Sequence, residues 1–174
     1  VKQIITCPEE EKPKSEVAGS TFADPIDVYS GAHLLKNAIM SLYGGQGLKL
    51  TAHYDSTKLS SGMLGSGWYH NYEKRLEIIG CEARVYSSPS VYSKYQSNSD
   101  CTVFTCTTAN KNGYVLHVDC SQQYPYIINC NSDHTEHYDS AGRLAKIVDH
   151  QGFETLITYS DTVITITDAV SGKK

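Results

Sequence analysis

Tyr138-Asp139-Ser140-Ala141-Gly142-Arg143-Leu144-Ala145-Lys146-Ile147-Val148-Asp149-His150-Gln151-Gly152 is the stretch on which the reading of this fold turns. Asp139 and Gly142 are placed to form a tight turn, because a short carboxylate can bond its own backbone and glycine tolerates a positive φ. Leu144 is expected to point into a core, and Asp149 with Gly152 to make the next turn. A second round follows at Tyr159 and Asp168, so that Tyr138 to Tyr159 spans 21 positions and Asp149 to Asp168 spans 19. A period of about 20 residues is one hairpin long, as expected of a stacked β array in which no unit buries its apolar side alone.

Upstream, residues 48–55 (Leu-Lys-Leu-Thr-Ala-His-Tyr-Asp) alternate apolar and polar side chains with period two, which predicts a strand with one packed face. Glycines at 44, 45 and 47 precede it, and a Ser/Gly-rich loop follows it. Leu34–Leu42 reads as a strand in preference to a short helix. Further strands are expected over 73–79, 83–87, 102–107, 114–120, 126–129, 134–138, 144–149, 153–159 and 162–168, nearly all separated by Gly, Asn, Asp or Ser. Spacings this short leave no room for crossover helices, so the expected class is mainly β, in antiparallel hairpins and meanders.

Composition agrees. Thirteen tyrosines stand against three phenylalanines, a bias that suits pleated, half-exposed surfaces. The formal charge is −4 and no long block of like charge exists, which speaks against nucleic acid as a partner. No apolar run approaches the roughly 20 residues of a membrane-spanning helix, so no membrane insertion is expected. Residues 1–20 carry Pro8, Pro13 and a Glu/Lys mixture with little apolar surface, and read as a flexible leader or linker. Val1 is not an initiator methionine, and the last strand-like run passes directly into Ser171-Gly172-Lys173-Lys174; both ends read as cuts in a longer chain. The six cysteines, Cys7, Cys81, Cys101, Cys106, Cys120 and Cys130, are either free thiols or up to three bridges in 15 connectivities.

The Tyr138–Gly152 pattern (Tyr-Asp, two residues, Gly-Arg-Leu, a strand, Asp-x-x-Gly) resembles the YD repeat. A second copy is degraded, with Tyr159-Ser160 in place of Tyr-Asp. Asp24-Pro25-Ile26-Asp27-Val28, Gly45-Gln46-Gly47-Leu48-Lys49-Leu50 and Leu64-Gly65-Ser66-Gly67-Trp68-Tyr69-His70-Asn71-Tyr72 are similar to the region that precedes the repeats in bacterial Rhs proteins. The resemblance implies a division into a leader (1–20), an N-terminal β module (21–131) and repeat hairpins (132–174). It implies a secreted or cell-surface protein whose hairpins spiral into a hollow shell. Such a shell encloses a toxic C-terminal domain or displays an adhesive one, and its first partner is the remainder of the same chain. The repeat residues Tyr138, Asp139, Gly142, Arg143, Leu144, Asp149, Gly152, Tyr159 and Asp168 are then structural, and neither enzymatic activity nor a cofactor is expected.

Two chemical readings compete with this bland one. Trp68, Tyr69, His70 and Tyr72 form the richest aromatic cluster and suit stacking on sugar rings, which makes a cell-surface carbohydrate an alternative partner. On a strand, however, Trp68, His70 and Tyr72 share a face, and the lone tryptophan is expected to anchor the core. A zinc site assembled from His117 with Cys120, His134 with His137, or Cys101 with Cys106 is not expected, since residues three or five apart on a strand point to opposite faces. No nucleophile motif is present, and nothing singles out a carboxylate pair for a hydrolase.

Overall fold

The computed structural model describes residues 21–22, 26–27, 31–42, 47–58, 61–89, 91–97, 100–161 and 163–169. The leader at 1–20, Cys7, the glycines at 44 and 45, and Gly172 of the second repeat copy lie outside these residues. Among the described residues there is no helix, and every strand pair is antiparallel.

The strands are β1 (Thr21–Phe22), β2 (Ile26–Asp27), β3 (Leu34–Leu42), β4 (Leu48–Asp55), β5 (Ser61–Gly62), β6 (Gly65–Ser66), β7 (Trp68–His70), β8 (Arg75–Ile79) and β9 (Glu82–Tyr86). They continue with β10 (Tyr92–Ser97), β11 (Val103–Cys106), β12 (Val115–Val118), β13 (Tyr126–Cys130), β14 (His134–Tyr138), β15 (Leu144–Asp149), β16 (Glu154–Tyr159) and β17 (Ile164–Asp168). β3, β4 and β7 form a small sheet, while β8 to β17 form one ten-stranded sheet in strict sequence order. This large sheet runs unbroken across residue 131, because Cys130 on β13 pairs with His134 on β14.

Period-two alternation places one row of side chains on the concave side. Val85, Tyr95, Phe104, Cys106, Leu116, Ile128, Cys130, Tyr138, Leu144 and Ile157 are all buried there and form one cluster with Leu76 and Tyr72. Fully burying a large aliphatic or aromatic side chain contributes about 1.5–3 kcal/mol, so this row is what holds the curl together. β10 was not anticipated from sequence. Its inward residues are Ser93 and Tyr95, which carry hydroxyls, so the strand shows no aliphatic alternation despite being packed on that side.

The sheet curls until its first strand touches the turn between its seventh and eighth. Arg75 bridges Arg143, the Leu76 N–H donates to the Gly142 carbonyl (2.6 Å), and the Leu144 N–H donates to the Lys74 carbonyl (3.3 Å). β16 and β17 continue beyond this seam. Cys81, after β8, and Cys101, before β11, are joined in a disulfide with Cα atoms 5.1 Å apart. Cys106 and Cys130 are buried free thiols and Cys120 is an exposed one.

Candidate functional site

The seam is built by the Tyr138–Gly152 stretch. Asp139 Oδ1 accepts hydrogen bonds from the Ala141 and Arg143 backbone N–H groups, both at 2.9 Å, and the Gly142 N–H returns to the Asp139 carbonyl. Asp139 Oδ2 receives Arg143 Nε at 2.9 Å and Nη2 at 2.8 Å, a two-point ion pair that fixes the turn. Above it the Arg143 guanidinium lies 4.6 Å from the centre of the Tyr159 ring, and the Tyr159 hydroxyl donates to the Leu144 carbonyl at 2.7 Å. Burial first, and the Asp139 charge after it, push the Tyr159 phenol up to about 12, with Arg143 opposing. The next turn repeats the device, Asp149 Oδ1 accepting from the Gln151 and Phe153 N–H groups at 2.8 and 2.9 Å. Asp168 instead ends β17, buried and paired with Thr155.

Gly142 has two jobs. Its φ of +77° suits the turn, and a Cβ there would overlap the Leu76 carbonyl oxygen of β8. Only a residue without a side chain lets the sheet meet its own first strand at this point. Gly152, with φ +85° and no atom near its missing Cβ, has only the turn to satisfy.

Inside the curl, behind the seam, lies a polar cluster. β14 directs His134, Glu136 and Tyr138 inward, and Glu136 is only 4% exposed. A buried carboxylate needs compensation, and three groups supply it. Lys74, in the segment just before β8, forms a salt bridge to Oε1; His134 Nε2 lies 3.2 Å from the same oxygen; and the Tyr138 hydroxyl donates to Oε2 at 2.7 Å. Burial works to raise the Glu136 carboxyl, but the Lys74 ammonium and the three hydrogen bonds hold it well below the usual carboxylate range. His134 is pushed up to about 10 by its hydrogen bonds to Cys130, Glu136 and Asp133, against the opposing effect of burial. A cavity of about 100 Å³ adjoins the cluster, lined by Lys74, Tyr95, Tyr114, Cys130, His134 and Glu136 among others.

The aromatic cluster picked out in the sequence is divided by the fold. Trp68 is half-buried and packs at 5.1 Å on Tyr54, while Tyr69 stacks on His53 at 5.2 Å from the opposite face of β7. Trp68 therefore covers the small sheet and does not anchor the core, a place taken by Tyr72, Tyr95, Phe104 and Tyr138. Tyr72 lies beyond the end of β7, in the turn toward β8, and does not continue the Trp68 face as a strand residue. His70 is buried with Nδ1 accepting the Tyr72 N–H at 3.2 Å; burial lowers its pKa, with Glu73 opposing. These four residues share no exposed platform on which a sugar ring would stack.

Cys130, His134 and Glu136 were not grouped by sequence. The disfavoured zinc pairings sought partners for His134 along its own strand, whereas its neighbour is Cys130 across the hairpin. The signal was present in Cys130-Asn131-Ser132-Asp133-His134, where Asn131 takes a left-handed φ of 55° and a three-residue turn sets the flanking residues opposite one another.

Residues 23–91 match a domain of unknown function (DUF6531). No curated protein matches the chain. The matched region contains the small sheet, β8 and β9, and it includes Lys74; Glu136 and Gly142 lie outside it. Both the seam and the buried ion pair thus join the matched region to the hairpins that follow.

Proposed function

We propose that this chain is the opening part of a YD-repeat shell in an exported or cell-surface bacterial protein of Rhs type, acting as a scaffold and not as an enzyme. The observation that carries this reading is the seam at Gly142: a sheet laid down in sequence order meets its own first strand and then continues with β16 and β17. That geometry suits the start of a spiral, which would be lengthened by adding hairpins to its last strand. The repeat residues support the same reading, because the consecutive Asp139 and Asp149 turns, one strand apart, are built alike. The partner is then the rest of the polypeptide, paired on β17, with a toxic or adhesive domain inside or beyond the shell.

The test is amide hydrogen exchange at residues 164–168, compared between this chain and the full-length polypeptide. We expect the β17 amides that face away from β16 to exchange much more slowly in the full-length protein. Equal exchange in both would overturn the reading, since β17 would not be the strand on which the shell grows.

A further inference from the structure

Donors of three kinds converge on the concave face. Cys130 Sγ, an imidazole nitrogen of His134 and a carboxylate oxygen of Glu136 all lie within 4.8 Å of one another. Register places them there: Cys130 and His134 are directly opposed across the β13–β14 hairpin, and Glu136 follows two residues later on the same side of β14. Cys130 and Glu136 are buried, and all three line the cavity of about 100 Å³.

We propose that Cys130, His134 and Glu136 are the protein ligands of a zinc(II) ion, with a water in the adjoining cavity as the fourth. One sulfur, one nitrogen and one oxygen form a donor set that tetrahedral zinc accepts readily. Calcium and magnesium take oxygen ligands, and copper(I) selects sulfur, so a mixed site of this kind favours zinc over either.

Lys74 decides whether the site is available. Its ammonium is the cation that now answers Glu136, and a metal ion must displace it. Binding releases the Cys130 thiol proton and the His134 imidazolium proton to solvent, and a dication held by one thiolate, one carboxylate and a neutral imidazole then leaves the cluster neutral without the lysine. Lys74 also has somewhere to go. Its side chain is 28% exposed and borders a cleft that Asp133 and Asp149 line as well. The Lys74–Glu136 salt bridge is made without sulfur, and Cys130 joins the cluster through its hydrogen bond to His134.

The experiment uses the purified chain, stripped with a chelator and titrated with zinc against a chromophoric competitor, then with cobalt(II) as a spectroscopic stand-in. We expect one equivalent of zinc, and a cobalt spectrum with a thiolate charge-transfer band and the strong visible bands of four-coordination. Cys130→Ser and His134→Ala should each weaken binding by more than the roughly 10–100-fold that a residue merely supporting a ligand costs. Lys74→Met should tighten it, and the Cys7→Ser/Cys120→Ser pair should leave it unchanged. Circular dichroism checks the fold of each variant, and if Cys130→Ser does not fold, the cobalt spectrum of the parent chain decides. The proposal is overturned if the parent binds no equivalent, if its cobalt complex lacks the thiolate band, or if folded His134→Ala binds as the parent does.

Discussion

Replacing Gly142 by alanine probes the seam, and the same change at Gly152 provides its control. Both glycines have positive φ, so an L-residue at either costs about 1–2 kcal/mol in backbone strain. Both changes also stiffen the unfolded chain similarly, so that contribution cancels in the comparison. At Gly152 nothing else is disturbed. At Gly142 the new Cβ meets the Leu76 carbonyl, which is backbone and cannot rotate away, so β8 must move off the turn. Its retreat removes the Leu76-to-Gly142 and Leu144-to-Lys74 hydrogen bonds, each contributing about 0.5–1.5 kcal/mol. The expected loss is therefore about 2–5 kcal/mol for Gly142→Ala against about 1–2 for Gly152→Ala. Urea denaturation followed by far-ultraviolet circular dichroism measures both. Equal losses would refute the reasoning, because they would leave the two turns equivalent and the seam without energetic weight.

Glu136→Gln leaves the Lys74 ammonium facing a neutral amide. Removing one partner of a buried pair costs about 3–5 kcal/mol, and the partial exposure of Lys74 places this case at the lower end. In a double-mutant cycle by urea denaturation, Lys74→Met added to Glu136→Gln should cost little more; additive losses would mean that the two groups are not coupled. The raised pKa of His134 means that its contribution is fully present below the ordinary histidine value of about 6.5 and is lost as pH rises through about 10. Stability measured at pH 6, 7.5 and 9 should fall across that window in the parent chain and fall less in His134→Gln; parallel curves would exclude a charged, paired imidazole. Breaking the Cys81–Cys101 bridge, by dithiothreitol or by Cys81→Ser with Cys101→Ser, frees a loop of 20 residues' separation and should cost about 3 kcal/mol. Denaturation with and without reductant reads this directly, and dithiothreitol should have no further effect on the double variant.

The buried pair and the seam have a common consequence for assembly. Lys74 lies in the region that matches the domain of unknown function, and Glu136 in the hairpins beyond it. A carboxylate on the inner face is costly until Lys74 arrives, so closure of the curl and neutralisation of Glu136 stabilise one another. Under the proposed shell reading, the first turn of the spiral is thereby tied in one register before more hairpins are added.

The turns and most strands were legible in the chain itself, because they depend on neighbours in sequence. Asp139 and Asp149 bond backbone groups two and four residues on, and the alternation in 48–55 reports a packed face without reference to what packs on it. β10 escaped because tyrosine and serine fill its inward positions, and the burial of Tyr95 depends on the curl around it. Trp68 was misplaced for a similar reason, since what an aromatic ring covers depends on which sheet its strand joins. Tertiary structure alone decided that Gly142 lies against Leu76, that Lys74 answers Glu136 across 62 residues of chain, and that Cys130 and His134 stand beside both. Local pattern fixes which face of a strand a residue occupies; how tightly the whole sheet curls fixes what that face meets, and curvature accumulates over many strands and leaves no mark in any one of them.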